Sequence, residues 1–486
     1  MQGTQRVIIE KITPDIDSGK FASKAVIGEE ISIEADIFLD GHDLISARIE
    51  FKHSDESKFH FSPLALINND RWKGNFICEK TGEYQFSIRA WVDHAQTWQY
   101  ELPKRISDGQ DIAMQLLIGV SHLEEMLNSA NKVEETEIKE AIKLLKDKKK
   151  YSEAVEYSLS DHFLNLTKKF PFLKHSTFFN RNIKILVDRQ KANFSSWYSL
   201  FPRSTSLTGK HGTFKDTIAL LPRIADMGFD VLYIPPIHPI GFNHRKGKNN
   251  SVTAQENEPG VPYAIGSNEG GHKDILKELG TLKEFKELVK ASNKAGLELA
   301  MDYALQCSPD HPYVKLYPQW FRWRPDGSVQ YAENPPKKYQ DILPINFECD
   351  DWKNLWEELK SILIYWVDAG VKIFRVDNPH TKPFVFWEWV IAEVKKHDPD
   401  VLFLSEAFTK PKVMQQLAKA GFTQSYTYYT WRNTKNELME YMTELTTSEM
   451  KSYFRPNFWT NTHDINPHSL QAGTEASFLN RFFAKM

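Results

Sequence analysis

From about residue 183 onward, short continuous apolar runs alternate with amphipathic segments, and this alternation restricts the fold more than any other feature of the chain. The runs DVLYIPPI, LELAMDYAL, VKIFRVD and VLFLSEAF have the length and composition of strands; LKEFKELVKASNKAG, WKNLWEELKSILIYWVDAG, FVFWEWVIAEVKKH and KVMQQLAKAG have helical spacing. Strands without a polar face must be covered on both sides, which means a parallel sheet flanked by helices. Charged residues fall at the C-terminal ends of these strands, at Asp302, Asp377 and Glu406. A TIM-type (β/α) barrel collects several strand ends at one face, so this placement favours it over a doubly wound sheet. The absence of GxGxxG after the first strand points the same way. Two connections, at about 238–272 and 307–348, are long for strand-to-helix loops and are expected to be functional.

The preceding residues read differently. Over residues 1–106, Ile31, Ile33, Ala35, Ile37 and Leu39 alternate with polar residues, as do Tyr84, Phe86, Ile88, Ala90 and Val92. This period of two, broken at turns such as Asp40-Gly41, predicts a β-sandwich of immunoglobulin size. Residues 107–182 carry apolar positions three and four apart among Lys and Glu, which predicts a helical bundle inserted before the barrel at 183–486. The basic run ending in Lys148, Lys149 and Lys150 reads as a solvated helix end. With a formal net charge of -3 and scattered cations, nothing suggests a nucleic-acid track. The three cysteines, Cys78, Cys307 and Cys349, have no metal-binding spacing and read as reduced thiols. No signal peptide or membrane span is expected, which predicts a cytoplasmic protein.

Three acids close strand-like segments: Asp377 in VKIFRVD, Glu406 in VLFLSE and Asp464 in FWTNTHD. Two carboxylates flanking a glycosidic bond can act as nucleophile and proton donor, and a third can stabilise charge and raise the donor's pKa. Arg375 precedes the first by two positions, and His463 directly precedes the last. FRVDNPH, LSEAF and NTHD resemble the corresponding regions of the α-amylase superfamily, glycoside hydrolase family 13. The resemblance implies Asp377 as nucleophile, Glu406 as general acid/base and Asp464 as transition-state stabiliser. It also implies Arg375 and His463 as contacts to substrate hydroxyls, with retention at the anomeric carbon.

Amylases usually end the third strand with Asn-His, whereas MDYALQCSPDHP has Gln306 and Cys307 there. With YAENPPKKYQDILPINFE, RWRPDGS, YAIGSNEGGHKDI, GFNHRKGKNN and TYYTWRNTK, the chain resembles, over essentially its whole length, the maltosyltransferases that use α-maltose 1-phosphate. That resemblance implies donor contacts from Lys246, Gln306, Asn334, Tyr339 and Asn378, with Lys337 nearby, and an α-1,4-glucan acceptor. It implies a homodimer, and neither metal nor organic cofactor. Such proteins continue with an eighth strand and a further β-domain, so the barrel is expected to be C-terminally truncated. Two alternatives are a glucan hydrolase or glucanotransferase using unphosphorylated donors, and an inactive glucan-binding fragment. The aromatic residues Trp320, Phe321, Trp323 and Tyr331 suit either sugar stacking or core packing.

Overall fold

The structure is a computed structural model that describes residues 3–128, 130 and 132–485. The chain divides into two compact units, one formed by Met1–Ser23 with Gly28–Leu186, the other by Lys24–Ile27 with Val187–Met486. In the first, strands Ile8–Thr13, Glu30–Phe38, Arg71–Ile77, His60–Asn68, Ile45–His53 and Gly82–Val92 hydrogen-bond in that order, all antiparallel. Strand His60–Asn68 divides its partners: its first half pairs with Ile45–His53 and its second with Arg71–Ile77. The alternating side chains Ile31, Ile33, Ala35, Ile37, Phe86 and Ile88 are buried, as their period of two requires.

Helical structure begins at His94, inside the stretch where alternation was expected to continue. Asp93 caps this helix by accepting the Gln96 N–H, and Trp98 and Leu102, one turn apart, bury against Leu116, Val120, Leu123, Ile138 and Phe163. Helices Ala113–Met126, Lys132–Lys146, Tyr151–Ser158 and Asp161–Lys169 complete this layer.

The second unit is built on seven strands: β1 (Trp197–Ser199), β2 (Val231–Ile234), β3 (Glu298–Tyr303), β4 (Ile373–Asp377), β5 (Leu402–Glu406), β6 (Gln424–Tyr426) and β7 (Pro456–Asn457). Each pairs in parallel with its sequence neighbour. Between them run α1 (Phe214–Asp226), α2 (Leu282–Lys294), α3 (Trp352–Asp368), α4 (Phe384–His397), α5 (Pro411–Lys419) and α6 (Lys435–Thr447). Capping boxes at Thr213/Asp216, Thr281/Glu284 and Thr434/Glu437 start α1, α2 and α6.

The continuous apolar strands divide by parity. Val231, Tyr233, Ala300, Ile373, Leu402 and Leu404 form one cluster, while Leu232, Ile234, Leu299, Met301, Phe374 and Phe403 join helix residues such as Leu288, Leu359 and Trp387 in another. A sheet with a packed inner face and helices outside is a partial TIM-barrel-like fold. Both long connections are ordered. The second holds the hairpin Ala332–Asn334/Lys337–Tyr339 and returns Leu343–Pro344 to pair with Gln306–Cys307. Trp320 and Phe321 within it are core residues, while Trp323 is exposed. Among the described residues, no helix is long and apolar enough to cross a membrane.

Candidate active site

Strand register builds the site. Asp302 on β3 is level with Arg375 on β4, and Asp377 on β4 is level with Glu406 on β5. Four charged side chains thereby meet at one end of three adjacent strands, where parallel neighbours lie about 4.8 Å apart. All are buried. The Arg375 guanidinium donates to Asp377 Oδ1 at 2.8 Å and to Asp302 Oδ2 at 3.1 Å, and its other terminal nitrogen lies 3.6 Å from Glu406 Oε2. The other Asp377 oxygen accepts from Gln306 Nε2 at 2.5 Å and Asn378 Nδ2 at 3.2 Å. Three donors therefore fix the orientation of this carboxylate.

Asn378 follows Asp377 with φ +44° and ψ 51°, a left-handed conformation that Asn tolerates better than most side chains. The bend aims its backbone N–H at Glu406 Oε2, 3.1 Å away, while its side chain reaches Asp377. Burial pushes the Glu406 carboxyl up to about 7; Asp377 and Asp464 add to the rise, and Arg375 and the Asn378 N–H oppose it. Burial also raises Asp302, which accepts from the Tyr233 and Tyr263 hydroxyls at 2.5 and 2.8 Å.

The Tyr263 hydroxyl also lies 3.0 Å from His463 Nε2, with the two rings stacked at 6.1 Å. His463 Nε2 is in turn 3.0 Å from Asp464 Oδ2. Burial would raise Asp464, but the His463 hydrogen bond and the Arg375 charge hold it below the usual carboxylate range. Asp464 does not end a strand, contrary to expectation: β7 stops at Asn457, and Asp464 sits in a turn closed by the Thr462 N–H to Ile465 O bond, its side chain 59 % exposed. The segment FWTNTHD has too few alternating apolar positions to sustain a strand.

Gln306, Arg375, Asp377, Asn378 and Glu406 are thus in direct contact, with His463 and Asp464 joined to them through Tyr263 and Asp302. Lys246 is buried near Asp341, whose Oδ1 is buried without a hydrogen-bond partner among the described residues. Asn334, Lys337 and Tyr339 stand on the exposed hairpin, where among the described residues no hydrogen bond links them to the carboxylates. Sequence reasoning did not single out Tyr233, Tyr263, Asp341 or Lys382. The Lys382 amine bonds to Asn378 O at 3.3 Å and is held below its ordinary range by burial, against the pull of Asp377 and Glu406. Tyr263 and Lys382 both lie inside motifs or next to them, in YAIGS and FRVDNPHTK, which is the signal that could have found them.

The site offers an oriented carboxylate beside a carboxyl that can carry a proton near neutrality, the division of labour that retaining glycosyl transfer needs. The family described as α-1,4-glucan:maltose-1-phosphate maltosyltransferase, domain N/S, matches residues 5–189. The α-1,4-glucan:maltose-1-phosphate maltosyltransferase of Chlorobaculum tepidum is 49% identical over 481 residues, spanning 99% of this chain and 72% of that protein. Its namesake from Methylacidiphilum infernorum is 49% identical over 483 residues, with the same coverages of 99% and 72%. The chain belongs to the maltosyltransferase family. Among solved structures, an α-amylase from Lactobacillus plantarum is 26% identical, covering 54% of this chain and 61% of that one with a TM-score of 0.43.

Proposed function

We propose that this enzyme transfers maltosyl units from α-maltose 1-phosphate to the non-reducing end of an α-1,4-glucan, with retention and release of phosphate. The observation that carries the reading is the pairing of Asp377, held by three donors, with Glu406, protonated to about pH 7, on adjacent strands. Glu406 donates its proton to the phosphate oxygen on the anomeric carbon while an Asp377 oxygen attacks that carbon. The C–O bond to phosphate breaks and a β-maltosyl ester forms. Glu406, now a carboxylate, takes the proton of the acceptor's 4-hydroxyl, whose oxygen displaces Asp377 and restores the α linkage.

In this reading Asp464 stabilises the oxocarbenium-like transition state, and Arg375 and His463 hold sugar hydroxyls. Lys246, Gln306, Asn334, Tyr339 and Asn378 hold the donor. Lys337 reinforces them from the hairpin, which must fold over the phosphate to do so. The unpartnered Asp341 oxygen beside Lys246 suits a sugar hydroxyl, since a buried acceptor is costly unless bonded. We further read residues 1–106 as a sandwich whose two faces meet along His60–Asn68, residues 107–182 as a helical insert and 183–486 as the catalytic barrel. A cytoplasmic homodimer is part of the same proposal.

The test is incubation with α-maltose 1-phosphate and maltohexaose, following phosphate and product masses. Growth by two hexoses per phosphate supports the reading. Cleavage without phosphate dependence would replace it with a hydrolase, and a folded protein without turnover would leave a glucan-binding role.

A further inference from the structure

Gln306, a donor to Asp377, sits on a short span of chain attached at both sides to the first long connection. On one side the His272 ring bonds through Nε2 to Ala304 O at 3.0 Å. On the other, the Ser308 N–H donates to Ile265 O at 2.7 Å, and its hydroxyl donates to Gly266 O at 2.5 Å. Opposite, Gln306 and Cys307 pair with Pro344 and Leu343. Among the described residues, the hydrogen bond from the first connection to Ala304 is that of the His272 ring, so this ring holds the chain two residues before Gln306.

His272 is itself held by His311, at the start of the second long connection. His272 Nδ1 lies 3.0 Å from His311 Nε2, and His311 Nδ1 accepts the Tyr313 N–H at 3.0 Å. A backbone N–H can only donate, so it fixes the direction of the whole chain. His311 carries its proton on Nε2 and gives it to His272 Nδ1; His272 carries its proton on Nε2 and gives it to Ala304 O. Both rings are buried, and burial holds both well below the ordinary histidine range, His272 at about 3, so the chain stays neutral. The His311 ring packs closely against two glycines: a Cβ at Gly266 would fall 2.2 Å from it, and one at Gly271 2.7 Å.

Cys307 Sγ also lies near these nitrogens, within the 4.8 Å that could ring a cation. The Tyr313 N–H decides against that use, because it puts a proton on the His311 nitrogen that would have to bind the ion. We propose that His272 and His311 are positioning residues for Asp377, acting through Gln306. They lock the two long connections together so that the Gln306 amide meets the carboxylate at the right angle. The inference rests on the assignment of Asp377 as nucleophile, where small misplacement of an attacking group costs rate.

The experiment is a double-mutant cycle of His272→Phe, which keeps a planar aromatic ring but removes both hydrogen bonds, against Gln306→Ala, with α-maltose 1-phosphate and maltohexaose. His272→Phe should lower kcat about tenfold, with KM for the donor changing less than about threefold. In the Gln306→Ala background the same change should cost under about twofold, and His272→Gln, which can still donate to Ala304 O, should recover most of the loss. Additive losses, or a lowered melting temperature with kcat intact, would overturn the proposal. Should His272→Phe not fold, Ser308→Ala enters the same cycle. A readout independent of turnover uses protein labelled with ¹⁵N-glutamine. The Gln306 side-chain amide signal, identified by its loss in Gln306→Ala, should shift in His272→Phe. An unmoved signal rejects the proposal even if the wild type proves inactive, which would instead reject the assigned reaction.

Discussion

The second unit buries two charge clusters at opposite ends of one sheet, and they are built to opposite effect. At the ends where β3, β4 and β5 finish, Asp302, Asp377 and Glu406 surround the single guanidinium of Arg375. At the ends where strands begin, Asp188 is surrounded by cations. Lys395 in the last turn of α4 bonds to it, and Arg455, directly before β7, donates to it at 2.5 Å and to Ala25 O at 2.6 Å. Lys24 bonds to Phe422 O, just before β6, within the field of the same group. Burial raises both kinds of acid. Around Asp188 the lysine and arginine outweigh burial and hold it at about 2, whereas at the other end burial, reinforced by Asp377 and Asp464, outweighs Arg375 and Glu406 rises to about 7. The ratio of buried charges decides whether a carboxylate serves as a fixed anchor or as a proton carrier.

The contrast can be broken most severely at Asp377. Asp377→Asn should lower phosphate release by roughly 10⁴-fold, as loss of a covalent nucleophile does, with little change in unfolding midpoint. Asp188→Ala should do the reverse. Stranding Lys395 and Arg455 without their anion should cost about 3 kcal/mol in denaturant titration, with turnover per folded molecule within about twofold of wild type.

Acid and base titration sharpen the difference. The Asp188 contribution is complete above its unfolded value of 3.8 and is lost as pH falls through about 2. Glu406 runs the other way. Its folded value lies above the unfolded 4.5, so its contribution is complete below 4.5 and lost as pH rises through about 7. Glu406→Gln should therefore be more stable than wild type at pH 8 by about 2 kcal/mol, measured by chemical denaturation, and the two should converge near pH 4. The kcat/KM of the wild type for donor should fall over the same rise through about 7, because the proton donor is lost. The smallest effect is expected from Tyr263→Phe. Loss of one hydroxyl between Asp302 and His463 should reduce kcat/KM by about fivefold, or about 1 kcal/mol.

The two clusters were unequally legible. Asp377 and Glu406 each end an apolar run and Asp302 lies one residue before the end of β3, so strand length and parallel pairing bring them together without knowledge of loops. Asp188, Lys395 and Arg455 lie on a strand, a helix end and a loop far apart in sequence, and no local pattern marks them as partners. Asp464 was legible as a residue but not as a position, since its turn depends on hydrogen bonds through Thr462. Tyr263 and Asp341 come from the two long connections, whose path is set by contacts such as Ser308 to Gly266 that have no periodic signature. The helix at His94 was hidden because Pro103 lies within it and its two buried anchors, Trp98 and Leu102, are too few to display a period.

Asn378 joins the two reacting carboxylates by itself, one through its backbone and one through its side chain. The gap across which bonds would be exchanged is therefore gauged by the dimensions of a single amino acid. The connections then act on the orientation of the Asp377 carboxylate through Gln306, while Asn378 spans the distance between the two acids.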